Sequence, residues 1–150
     1  MATTVGTEST LTKLLSNLVE LDFDAIEAYR AAIDRLEDAQ ARTRLGEFLA
    51  DHERHTRELG GLLVDMGEEA PTSGSMKSIL TKGKVQIANL GGDKPVLQAM
   101  LSNEQDTNTA YERAVEHDGL STSAREVLRR GLADERRHRA WIEGAIARMD

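Results

Sequence analysis

Four stretches of the chain set apolar residues at helical spacing, and each stripe is interrupted by side chains that titrate. The first runs Leu11, Leu14, Leu15, Leu18, then Asp22, Ala25, Tyr29, Ala32 and Leu36. That period predicts a helix from about Glu8 to Glu37. The second runs Leu45, Phe48, Leu49, His52, His55, Leu59, Leu62, Leu63 and Met66, and predicts a helix from Ala39 to Met66 that stops at Gly67. The third, Leu97, Met100, Leu101, Glu104, Asn108, Tyr111, Ala114 and Val115, predicts a helix from Lys94 to His117 with Pro95 in its first turn. The last stripe is Leu128, Leu132, Ile142, Ala145, Ile146 and Met149, and the helical steps from Leu132 to Ile142 pass through Glu135 and His138. Asp38 is the expected cap of the second helix, and Ser123-x-x-Glu126 has the form of a capping box for the fourth.

The connections order these helices. Only a tight turn fits between the first two, so they form a hairpin, and Asp118-Gly119 separates the last two in the same way. Residues 68–93 break the pattern with Pro71, Ser73, Gly74, Ser75 and Gly91-Gly92. A segment of that length can cross from one end of a bundle to the other, with a short helix over Met76–Leu90 inside it. The reading is all-α: one domain over residues 1–150, an antiparallel four-helix bundle with a flexible tail over 1–8 and a crossover over 68–93. The hairpins also echo one another. Leu49-Ala50-Asp51-His52-Glu53-Arg54-His55 aligns without a gap with Leu132-Ala133-Asp134-Glu135-Arg136-Arg137-His138, and Ala28-Tyr29-Arg30-Ala31-Ala32 echoes Ala110-Tyr111-Glu112-Arg113-Ala114. The two offsets agree to within one residue, which points to a duplicated helix pair.

Composition narrows the chemistry. Aromatic residues make up 3% of the 150, which suits helices better than a sheet sandwich. A net charge of −7 with no basic run sets aside nucleic acid and anionic membrane as partners. Cysteine is absent, which removes disulfides, thiolate zinc sites and cysteine nucleophiles, and is compatible with a cytoplasmic location. The Thr-rich start has neither the basic nor the apolar region of a signal peptide.

What remains is a set of inward polar residues on every helix: Asp22, His52 with His55, Glu104, and Glu135 with His138. An unpaired carboxylate is expensive to bury, and a bound metal is the simplest way to keep six such groups inside. Di-metal bundles take a Glu from each of two helices and Glu-x-x-His from each of the other two. This chain has that order with Asp22 for one Glu and His52 for another. Losing a bridging carboxylate at His52 favours one ion on Glu104, Glu135 and His138 over a pair, with His52 and His55 completing a weaker second position. The donors suit iron, manganese or zinc, at one or two ions per chain. The rival reading is a metal-free core in which pairs such as Glu135 with His55 satisfy each other, or a purely structural zinc. Asp51 and Asp134, matched in the repeat, read either as partners of ligand histidines or as surface charges. Tyr29 and Tyr111 read as core aromatics that hydrogen-bond near the site, and Trp141 as bundle packing.

Asp134 to Glu143, Asp-Glu-x-x-His-x-x-Trp-Ile-Glu, resembles the last helix of bacterioferritins and rubrerythrin-like proteins. The spacing of Glu104 to Tyr111, repeated by Asp22 to Tyr29, is similar to their ligand-to-tyrosine spacing. Over about residues 9 to 149 the helix order and crossover resemble those of a bacterial ferritin-like family of uncharacterised function. The resemblance implies a ferritin-like fold and iron at Glu104, Glu135, His138 and His55, with Asp22 and His52 at matching positions of changed chemistry. It implies an Fe(II)-oxidising or peroxide-handling stress protein, with oxygen or peroxide as partner. The chain ends at Asp150 without the further short helix of storage cages, and it lacks the Cys-x-x-Cys domain of rubrerythrins. A homodimer is therefore expected rather than a cage. The alternative function is a non-enzymatic stress or interaction bundle.

Overall fold

The computed structural model describes residues 3–74 and 86–149, and the described residues form an all-α four-helix bundle. Its helices are α1 (Leu11–Arg35), α2 (Ala39–Asp65), α3 (Asp93–Ala114) and α4 (Thr122–Arg148). Thr10 caps α1, its side chain accepting from the Lys13 amide, and Asp38 caps α2 by accepting from Ala41 N at 2.8 Å. The α4 cap is Ser121, two residues before the expected Ser123: its hydroxyl accepts from Ala124 N at 3.1 Å. At the end of α2, Gly67 takes φ +79°, a conformation that an L side chain resists, and Glu68 N closes back onto Leu63 O. Asp93 ties the start of α3 to the α1–α2 turn by accepting from the amides of Glu37 and Asp38.

Of the crossover helix expected over Met76–Leu90, residues 86–88 are helical, and the rest of that reading falls largely outside the described residues. Ile87 is buried against the bundle. Within the stretch read as a tail, Thr3 and Val5 lie against α3, where Arg113 Nη1 donates to their carbonyls. No helix of the described residues is long and apolar enough to cross a membrane.

Side-chain pairs fix the helix directions. Tyr29 meets Glu104 while Asp22 meets Tyr111, so α1 and α3 run antiparallel. Asp51 meets His138 while Asp134 meets His55, so α2 and α4 do too. The apolar stripes bury into two separate clusters. One gathers Tyr29, Leu45, Phe48, Leu97, Met100 and Ile142; the other gathers Leu14, Leu18, Leu59, Leu63, Tyr111 and Leu128. On each helix the titrating residues fall between the two.

Gly131 is a close-approach position. A Cβ there would overlap the edge of the Tyr111 ring, which lies across it. Gly131→Ala is expected to lower stability by about 1–3 kcal/mol through overpacking, read as a fall in urea midpoint. A midpoint at or above that of the parent would mean the ring has room to move.

Candidate metal centre

All six residues singled out in the sequence are buried, and the four helices bring them into one layer. They form two groups: Asp22, His52, His55 and Glu135, and His52, Glu104, Glu135 and His138. In each group the four candidate ligand atoms lie within 4.8 Å of one another. His52 and Glu135 belong to both.

Helix pairs build each half. In the first, α1 contributes Asp22, whose Oδ1 lies 2.7 Å from His52 Nδ1 and 3.2 Å from His55 Nδ1, both from α2. Tyr111 OH donates to Asp22 Oδ2 at 2.7 Å. In the second, α3 contributes Glu104, which takes the Tyr29 hydroxyl and lies 3.4 Å from both His52 Nε2 and His138 Nδ1. Glu135 lies between the halves. Its Oε1 is 3.4 Å from His55 Nδ1 and 3.5 Å from His52 Nδ1, and its Oε2 is 3.8 Å from His138 Nδ1.

The outer nitrogens of His55 and His138 are held by aspartates from the opposite helix. His55 Nε2 is 2.9 Å from Asp134 Oδ2, and His138 Nε2 is 2.8 Å from Asp51 Oδ2. Such carboxylate–imidazole pairs fix a ring's orientation and leave its other nitrogen for a ligand. Arg54 and Arg137 in turn pair with both aspartates. Nothing in the helical spacing marked these arginines for that role. Phe48 adds a steric wall by stacking on the His138 ring with centroids 4.2 Å apart. Two further polar residues of α3 were not read as part of the site. Thr107 Oγ1 is 2.8 Å from Glu135 Oε2, and Asn108 Nδ2 donates to the main-chain carbonyls of Glu104 and Glu135, lacing α3 to α4. Only their place in the apolar face of α3 signalled them. Asp24, two residues along α1 from Asp22, stays half-buried outside the layer, and His117 lies at the helix end with Nδ1 accepting from Gly119 N.

The electrostatics follow from burial and pairing. Burial alone would raise Asp22, but His55 and His52 override it and hold the carboxyl at about 2. Burial works against a charged His52, yet Glu135, Asp22 and Glu104 push it up to about 10. For His55, Asp22 and Asp134 overcome burial and push it up to about 12. Glu104 is held well below the carboxylate range by His138 and His52 despite its burial. Glu135 goes the other way: burial, with Glu104 adding repulsion against the pull of His52, lifts it to about 7. Protons on the imidazoles thus neutralise buried carboxylates in the metal-free protein.

That neutralisation leaves gaps. Glu135 Oε1 and His138 Nδ1 are buried without a hydrogen-bond partner among the described residues. Both belong to residues of the second group; Glu135 Oε1 faces the His55 and His52 rings, and His138 Nδ1 faces Glu104. Two orphaned donor atoms among three carboxylates and three imidazoles fit an oxygen- and nitrogen-loving metal.

The profile of the family described as a domain of unknown function (DUF2383) matches residues 10–117, which spans α1, α2, the crossover and α3. No curated protein matches the chain.

Proposed function

The chain belongs to the DUF2383 family, and we propose that its bundle is a ferritin-like metal-binding protein whose layer holds two ions. The two overlapping four-residue groups carry this reading. Asp22 and His55 would hold one ion and Glu104 and His138 the other, with Glu135 shared. Iron in this donor set would supply one-electron chemistry toward oxygen or peroxide, as expected of a stress-defence oxidoreductase.

The chain's own residues prepare the site for that. Tyr29 and Tyr111 orient Glu104 and Asp22 by donating hydroxyl protons to them. Asp51 and Asp134 aim the inner nitrogens of His138 and His55 toward the carboxylates. The apolar clusters on either side keep bulk water from the layer. Loading must displace protons from His52 and His55, so ions compete with protons for the site.

Elemental analysis of protein purified without added metal, and again after anaerobic Fe(II), tests the reading. Two ions per chain in the parent and none in Glu135→Ala are expected, because Glu135 enters both groups. A parent that holds no metal after loading would leave the rival reading, a self-paired polar core. The ring–carboxylate contacts of His52 and His55 favour that rival, which predicts no effect of chelators on melting.

A further inference from the structure

The layer carries an internal twofold that assigns a role to its least expected member. The repeat equates Asp22 with Glu104, Tyr29 with Tyr111, Asp51 with Asp134, His52 with Glu135, Arg54 with Arg137, and His55 with His138. The contacts obey it reciprocally. Tyr111 donates to Asp22 as Tyr29 donates to Glu104. His55 meets Asp134 as His138 meets Asp51. Arg54 and Arg137 each span the same two aspartates.

One equivalent pair behaves differently. His52 and Glu135 touch both halves, as residues on the axis must. Glu135 turns Oε1 toward His55 and Oε2 toward His138. His52 turns Nδ1 toward Asp22, at 2.7 Å, and Nε2 toward Glu104, at 3.4 Å. Replacing a carboxylate by an imidazole at this place therefore keeps a side chain with one donor atom for each half. The sequence reading, that histidine removes a bridge, took account of its charge but not of its two ends.

We propose that His52 is a bridging ligand, binding one divalent ion through Nδ1 and the other through Nε2, opposite the bridging carboxylate of Glu135. This rests on the two-ion reading above. Each metal–nitrogen bond replaces an N–H bond of the cationic ring, both protons leave to water, and no electron is transferred. The bridging imidazolate carries the single negative charge that a glutamate would bring, so the charge balance with two cations is kept.

Zinc(II) is the probe. The apo protein is titrated and its bound metal counted, while nitrogen-15 spectra follow the His52 ring. In the parent, both ring nitrogens are expected to move to metal-bound positions and the ring N–H signals to vanish at two equivalents. Retention of one N–H at two equivalents overturns the bridge. Affinities give a second readout. His55→Ala should weaken one ion and His138→Ala the other, whereas His52→Gln should weaken both by at least about tenfold. His52→Glu, which restores a two-ended carboxylate, should recover both. Weakening of a single ion in His52→Gln, with its fold checked by circular dichroism, also overturns the proposal. A parent that binds no zinc, with Fe(II) also refused, sinks the metal reading itself.

Discussion

Metal-free protein carrying Asp22→Asn is expected to lose about 3–5 kcal/mol of stability at neutral pH, the range seen when one partner of a buried ion pair is removed. Asp22 is fully enclosed and takes contacts from three sides: His52 Nδ1 and His55 Nδ1 at Oδ1, and the Tyr111 hydroxyl at Oδ2. Asparagine keeps the shape but removes the negative charge, and its amide group sets a donor against donors. Two imidazoliums then share too few counter-charges, and both should titrate at lower pH. Urea unfolding in the presence of a chelator measures the loss, and proton spectra of the rings measure the titration. A loss under about 1 kcal/mol would show that the imidazoles are neutral in the parent and that the layer is not held by ion pairing.

The second large effect is an inverted pH profile for the metal-free protein. His52 and His55 are raised in the fold to about 10 and about 12 from an ordinary 6.5. Their contribution is therefore complete below about pH 6.5 and drains away as pH rises toward those values. Glu135, lifted to about 7 from 4.5, holds its proton longer folded than unfolded, so it too favours the fold at lower pH and loses this as pH rises. Asp22 and Asp134, both held at about 2, act in the opposite sense: their contribution is present above about 3.8 and is lost as pH falls toward 2. Stability should then peak near pH 4–5. At about 1.36 kcal/mol per pKa unit, two imidazoles over about 2.5 pH units should lower it by on the order of 6 kcal/mol between about pH 6.5 and 9. Metal reverses the trend, because an ion that displaces protons binds better as pH rises. Melts with and without zinc across pH 5 to 9 should diverge steadily. Parallel curves would mean that metal does not compete with the imidazole protons.

Much of this was legible in the chain. Apolar spacing gave the four helices to within about three residues at each end, and the same spacing put Asp22, His52, His55, Glu104, Glu135 and His138 inward. The duplication was visible as aligned residues. The cap of α4 was not, because Ser121 and Ser123 are chemically alike and only backbone geometry chooses between them. Nor was the exchange of Asp51 and Asp134 between helices. Each sits four residues before the histidine of its own helix, yet binds the histidine of the other, and that depends on the antiparallel register of α2 against α4. The two-sided placement of His52 was illegible for a related reason. A sequence records that an imidazole replaced a carboxylate, but not which halves its nitrogens face.

The polar layer also divides the apolar core into two lobes, and that division bears on how the helices find their alignment. Leucine stripes alone tolerate sliding: a helix displaced by one turn, about 5.4 Å, still lays apolar residues against apolar residues. Here such a slip would carry charged groups from the middle of one helix into a lobe of leucines while their partners stayed behind. An interrupted stripe thus acts as a vernier. It admits a single setting of four rods against one another, and that setting is the one that assembles the layer.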